Sequence, residues 1–118
     1  MTTTAVIVTR PTPHVAQVAI NRPEAKNAID ETTRLALIDA IEATLTDDTV
    51  RALLLCGTSG VFCAGGDLAS MRGMSEKQAR TRMQSGHKLV QLLWNADIPV
   101  VVAMEKFAIC AGAGLALV

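Results

Sequence analysis

The sequence predicts a single α/β domain, and three observations carry that reading. Two apolar runs, residues 52–56 and 100–104, each give way to a stretch of small residues, Cys63-Ala64-Gly65-Gly66 and Cys110-Ala111-Gly112-Ala113-Gly114. Two segments with helical spacing of apolar residues separate the β-rich segments. Strands that alternate with helices call for parallel pairing through helical crossovers. The 118 residues suffice for one domain with a modest core. Half of them are hydrophobic and only 3% aromatic, so that core is built from Ala, Val, Leu and Ile.

Taken in order, residues 5–8 and 15–21 are β-rich and flank Pro11-Thr12-Pro13, which predicts an antiparallel hairpin. Val18 and Ile20 give the second of these strands an apolar face. Asn21-Arg22-Pro23 ends it, and a loop runs to Ile29. Asp30 is a plausible N-cap for a helix beginning at Glu31, whose stripe is Leu35, Ile38, Ile41 and Leu45. The pair Asp47-Asp48 closes that helix. Residues 52–56 are apolar throughout, as in a strand covered on both faces. A second helix starts near Ser75, where Ser75 and Gln78 match a capping box. Its stripe is Ala79, Met83, Gly86, Val90 and Leu93. Asp97-Ile98-Pro99 leads into a strand over 100–103, and residues from Gly112 onward look like the start of a buried helix that Val118 cuts off.

Eleven basic residues balance eleven acidic ones, which gives no support to nucleic-acid or anionic-membrane binding. The charge is uneven, however: between Met71 and Val90, Arg72, Lys77, Arg80, Arg82 and Lys88 stand against Glu76 alone. A solvated helix face is the ordinary cause of such a run, and a phosphate-bearing ligand the sharper one. Cys56, Cys63 and Cys110 are an odd count without Cys-x-x-Cys spacing, so neither a disulfide framework nor a zinc site is expected, and a reducing cytoplasm fits. The first eight residues lack the basic start of a secretory signal. His14 and His87 have no neighbour suited to nucleophile chemistry and are expected to be structural or solvent-facing. Cys63 and Cys110 flank the small-residue stretches, where buried cysteines are commoner than reactive ones.

Runs of small residues cost conformational entropy, so they need a cause: positive φ, a tight turn, or a group pressing on the main chain. Two strand–small-loop units suggest two peptide N–H groups converging on one ligand oxygen. Fixed N–H donors stabilise a carbonyl oxygen that gains negative charge without having to reorganise. Close packing of helix on strand is the competing explanation.

Three blocks then resemble a known family. Asn21-Arg22-Pro23-Glu24-Ala25-Lys26-Asn27-Ala28, Phe62-Cys63-Ala64-Gly65-Gly66-Asp67-Leu68 and Ile98-Pro99-Val100-Val101-Val102-Ala103 resemble, in order and at matching intervals, the crotonase (enoyl-CoA hydratase/isomerase) superfamily. The resemblance spans essentially the whole chain. It implies a β-β-α spiral of repeated units closed by C-terminal helices, with this chain stopping before those helices. Residues 1–118 are then an incomplete acyl-CoA-binding domain. It also implies homotrimers or hexamers, and an acyl-CoA thioester as substrate. Coenzyme A arrives as part of that substrate, and no separate cofactor or metal is implied.

By similarity, Gly66 supplies one N–H of an oxyanion hole for the thioester carbonyl. Running ungapped from Pro99, Ala111 supplies the other. Ala25, Lys26, Ala28 and Ala64 would hold the nucleotide and pantetheine portions. Asp67 and Leu68, also among the implied substrate-binding positions, begin the helix beyond the hole, where Asp67 is expected to cap rather than to move protons. There are departures. The family has Gly where Lys106 follows Glu105. The first of the two hydratase glutamates would fall on Gly114, and the second lies past Val118. Hydration uses both carboxylates on one water, so hydratase activity is doubtful. A lyase or isomerase in fatty-acid metabolism is the leading expectation, with a non-catalytic acyl-CoA-binding or assembly subunit as the alternative.

Overall fold

The computed structural model describes residues 4–118; of the segment read above for a secretory signal, positions 1–3 lie outside the described residues. The elements run β1 (Val6–Thr12), β2 (Val15–Ile20), a 3-10 turn (Pro23–Ala25), α1 (Glu31–Leu45), β3 (Ala52–Gly57), α2 (Leu68–Met71), α3 (Glu76–Trp94), β4 (Val100–Val102) and α4 (Ala111–Leu117). One sheet holds the strands in chain order. β1 pairs antiparallel with β2, and β3 lies parallel to β2 and to β4. α1 is therefore the crossover from β2 to β3, and α2 with α3 the crossover from β3 to β4, as the alternation of elements predicts.

The hairpin differs from expectation in extent. β1 runs on to Thr12 and the chain reverses at Pro13-His14, with the register irregular between Thr9 and Thr12. Pro11 is tolerated there because β1 is an edge strand, where a missing N–H costs no ladder bond. The polar run Thr9-Arg10-Pro11-Thr12 hides this extension, since an exposed edge strand needs no apolar alternation.

α1 begins where expected, with the Asp30 side chain accepting from the Thr33 N–H at 2.9 Å. Its buried face is rotated from the predicted stripe. Leu37, Ile38 and Ile41 are buried, whereas Leu35 is 47% exposed. Ala, Leu and Ile lie almost all round this helix, so spacing alone does not select the buried side. β3 sends Leu53 and Leu55 into the core, while Ala52, Leu54 and Cys56 are only half-buried, so the strand is fully covered on one face alone. Val18, Ile20, Leu37, Ile41, Leu53, Leu55 and Phe62 form the centre of the core.

α3 starts at a complete capping box: Ser75 Oγ accepts from Gln78 N–H, and Gln78 Oε1 accepts from Ser75 N–H. Leu89 and Leu93 are its buried residues. Ala79, Met83 and Val90 of the expected stripe are exposed, with Met83 at 66%. The polar contacts of this helix explain the shift, because the side packed on α1 carries Ser85, which hydrogen-bonds Arg34. Among the described residues no helix is long and apolar enough to cross a membrane.

Candidate functional site

The segment 61–67 is stitched between two other loops by backbone hydrogen bonds. On one side, Ala64 N–H donates to Lys26 O at 3.1 Å, Ile29 N–H to Gly65 O at 2.7 Å, and Asp67 N–H to Ile29 O at 3.0 Å. On the other, Phe62 N–H donates to Glu105 O at 3.0 Å and Ile109 N–H to Cys63 O at 3.1 Å. A short parallel ladder on each side therefore carries the sheet outward beyond β3. Gly65 has φ +96°, and a β-carbon there would come within 2.7 Å of Ile109 O, so only glycine lets the third loop approach this closely.

Asn27 holds the first loop in place. Fully buried with φ +58°, it donates from Nδ2 to Thr58 O at 3.0 Å and Val61 O at 2.7 Å, and its Oδ1 accepts from Arg22 N–H at 2.8 Å. Its side chain replaces the missing main-chain partners of two loops at once. Arg22 reinforces the same junction, donating to Ala28 O and pairing with Asp67. Asp67 Oδ1 accepts from Ala69 N–H at 3.0 Å, while its Oδ2 pairs with Arg22. Asp67 is thus the N-cap of α2.

This stitching brings the two small-residue stretches to one apolar cavity of about 350 Å³. Gly66 and Ala111 both line it, together with Met83, Val90 and Leu115. That volume lies within the range of small-ligand pockets. Among the described residues neither the Gly66 N–H nor the Ala111 N–H has an acceptor. Ala111 opens α4, where the first helical N–H groups have no intrahelical partner. Cys110, just before it, is held at φ 50°, ψ −114°, a sparsely populated conformation of the kind found where a backbone is aimed at a ligand. Cys63 is buried as expected and burial pushes its thiol pKa up, whereas Cys110 is exposed.

The other implied binding positions do not line this cavity. Ala25 ends the 3-10 turn, Lys26 is exposed in a left-handed conformation, Ala28 is buried, and Ala64 is joined to Lys26 by the ladder. Leu68 stands exposed on α2. These residues form the two bonded loops that lead to Gly66. Gly114 does line the cavity, and a β-carbon there would meet nothing within 4 Å.

Sequence reasoning missed the wall contributed by α1 and α3. Arg34, Arg82 and His87 line the cavity, and His87 is the imidazole among its lining groups. The signal was present in Met83, Gly86, His87 and Val90, which fall at i, i+3, i+4 and i+7, but that spacing reads equally well as a core stripe. Of the basic run in α3, Arg80 pairs with Glu76 and Lys88 with Glu42. Arg72, Lys77 and Arg82 line a second, polar cavity of about 410 Å³ beside the first.

Known proteins resemble this chain in sequence and fold. The family model described as enoyl-CoA hydratase/isomerase matches residues 11–118. A crotonyl-CoA hydratase of Syntrophomonas wolfei is 36% identical over 104 residues, covering 87% of this chain and 40% of that protein. The mouse enoyl-CoA hydratase domain-containing protein 2 is 33% identical over 111 residues, covering 93% of this chain and 38% of that protein. The solved enoyl-CoA hydratase of Bacillus anthracis superposes with a TM-score of 0.90 at 26% identity, over 96% of this chain and 44% of that one. The chain spans well under half the length of these relatives, and its mixed α/β architecture is the corresponding part of the crotonase fold. With the three sequence blocks in order along the chain and a family model matched over nearly its whole length, the chain belongs to the enoyl-CoA hydratase/isomerase family of the crotonase superfamily.

Proposed function

We propose that the chain binds an acyl-CoA thioester and polarises its carbonyl through the N–H groups of Gly66 and Ala111. The observation that carries this reading is the meeting of those two residues, from separate strand–loop units, on the wall of one apolar cavity, each with an N–H that lacks an acceptor among the described residues. In such a setting two fixed donors favour the form of the thioester in which negative charge moves onto oxygen, and the surrounding apolar wall strengthens their effect. The Lys26 and Ala64 loops, bonded to each other and leading to Gly66, are the surface along which the coenzyme portion lies. His87 is the cavity's own candidate for proton transfer.

Gly66→Pro tests this directly, because it deletes one donor. Loss of such a donor typically costs about 3–4 kcal/mol of transition-state stabilisation, so acyl-CoA turnover should fall by roughly two to three orders of magnitude. Unchanged turnover and unchanged acyl-CoA affinity would remove Gly66 from the hole.

A second reading, a non-catalytic acyl-CoA-binding or assembly subunit, is favoured by Gly114. It occupies the position implied for the first hydratase glutamate, and among the described residues no carboxylate lines the cavity. Calorimetric titration with an acyl-CoA beside a hydration assay on crotonyl-CoA separates the two. Binding without turnover supports the subunit, and robust hydration excludes it. Trimeric or hexameric assembly and a cytoplasmic place belong with either version of the proposal.

A further inference from the structure

Arg34 and Arg82 form the wall shared by the apolar cavity and its polar neighbour. Arg34 is only 6% exposed, and its Nε donates to Ser85 Oγ at 2.6 Å. Among the described residues its two terminal nitrogens have no acceptor, and neither arginine pairs with a carboxylate. Arginine is seldom buried this deeply without a carboxylate partner, because a shielded guanidinium gives up much of its hydration. Burial, and then the neighbouring charge of Arg82, push the Arg34 pKa down. The charges of Glu31 and Asp30 offset this only in part. Arg72 and Lys77 add positive charge on the polar side, where Glu31 is the one acid. Asp30, the other nearby carboxylate, is held by Thr33 and Arg22.

The position of Arg82 limits what can satisfy the pair. A β-carbon built on Gly66 would stand 2.5 Å from Arg82 Nη2, so the guanidinium lies directly against the residue offered above as an oxyanion donor. An anion bound there is therefore close to the carbonyl that Gly66 would hold. A neutral fatty acyl chain would instead leave both guanidiniums without a carboxylate partner.

We infer that the arginine pair receives a carboxylate carried by the acyl group itself, so that the ligand class is a short dicarboxylyl-CoA thioester. This rests on the acyl-CoA reading of the site. Planar guanidiniums match a carboxylate with paired N–H donors, which gives both affinity and direction. Glycines at 66 and 86 and the small Ala111 leave the space, and Arg34 and Arg82 set the specificity. The same pair could also hold a phosphate of the coenzyme, and the experiment must tell these two sources of negative charge apart.

Calorimetric titration of the protein with ligands matched in chain length does so: malonyl- against propionyl-CoA, succinyl- against butyryl-CoA, glutaryl- against valeryl-CoA, and free CoA. The expected result is that the dicarboxylyl member of at least one pair binds at least about tenfold more tightly. That ratio should fall towards one in Arg82→Gln. Arg82 is half-buried, so this variant keeps the fold, as circular dichroism would verify. Arg34→Gln should give the same result where it folds. Equal affinity within every pair would overturn the inference and leave the acyl-CoA reading standing. So would a preference that persists in Arg82→Gln, or a loss in that variant of equal size for every ligand including free CoA, which would assign the arginines to coenzyme phosphate. If no acyl-CoA binds at all, the acyl-CoA reading itself fails and this inference with it.

Discussion

Arg22 Nη1 lies 2.9 Å from Asp67 Oδ2, and the same guanidinium stands 3.5 Å from Asp30 Oδ2. Two helix N-caps, those of α1 and α2, therefore share one counter-charge at the junction of the loops that lead to Gly66. Side chains at this junction are mostly shielded from solvent, so the pairs are screened less than exposed ones.

The first prediction concerns acid stability. Burial pulls the Asp30 pKa up, but the Thr33 N–H and the Arg22 charge pull it further down, leaving it below the ordinary 3.8. A depressed carboxylate contributes stability that is present above its unfolded pKa and lost as pH falls through its folded pKa. Arg22→Ala should therefore raise the Asp30 pKa and move the loss of stability to higher pH, alongside a general destabilisation of about 1–2 kcal/mol. Asp47 provides a control at a distance. Its Thr49 hydrogen bonds and the Arg10 partner lower it to about 2, so it should titrate near that value in both wild type and variant. Carboxyl chemical shifts followed through acid titration read both groups, and an unmoved Asp30 in Arg22→Ala would break the link.

Asn27 is the second test. Replacing it with Ala leaves Thr58 O, Val61 O and Arg22 N–H without their partner, and asks alanine to hold a positive φ that asparagine tolerates better. The expected cost is about 2–4 kcal/mol. It should appear in urea unfolding as a lower midpoint with an unchanged slope. Asn27→Asp keeps the acceptor and loses both donors, so it should be nearly as damaging. A cost below about 0.5 kcal/mol for both would mean that the loops hold their places without it.

Local signals made much of this fold legible. Asp30 before Glu31, and Ser75 three residues before Gln78, marked two helix starts because caps act within a few residues of chain. That the two small-residue stretches reach one cavity was also legible, since such stretches after strands have few physical causes, whereas Gly66 and Ala111 individually were named by the family resemblance. Which side of α1 faces inward was not. Leu35 and Leu37 are equally apolar, and only contacts with β1, β2 and α3 decide that Leu37 is buried. Arg34 was invisible for a related reason: its burial depends on Ser85 and Arg82, which belong to a helix far along the chain, whereas sequence places arginine outside by default. The long β1 was hidden because an edge strand needs no apolar pattern.

The third prediction sets two glycines of α4 against each other. At Gly112 a β-carbon would come within 2.8 Å of Cys63 O and 2.9 Å of Cys63 Cβ, atoms fixed in the ladder. Gly112→Ala should therefore destabilise by about 1–3 kcal/mol despite the better helix propensity of alanine. At Gly114 the space is open, so Gly114→Ala should be neutral or stabilise by up to about 1 kcal/mol. Thermal unfolding of the two variants side by side decides it, and equal shifts would show that contact with Cys63 does not govern this helix.

The last prediction concerns the surface beyond the site. Among the described residues β4 is at the edge of the sheet, with β3 as its one ladder partner. Val101 on it is 58% exposed, with Met104 and Ile109 following, and Leu117 on α4 is 86% exposed. Leu115, by contrast, is buried, so the exposed apolar surface of α4 is confined to its outer side. A bare edge strand made of three valines offers both unpaired main-chain groups and apolar side chains to another strand. The 118-residue chain should accordingly self-associate at micromolar concentration, with weight-average mass rising with concentration in sedimentation. Val101→Lys places a charge on the exposed face of that edge without touching the core, and should reduce the association. A single monodisperse species that unfolds cooperatively, with no change on Val101→Lys, would show that this edge is not an association surface.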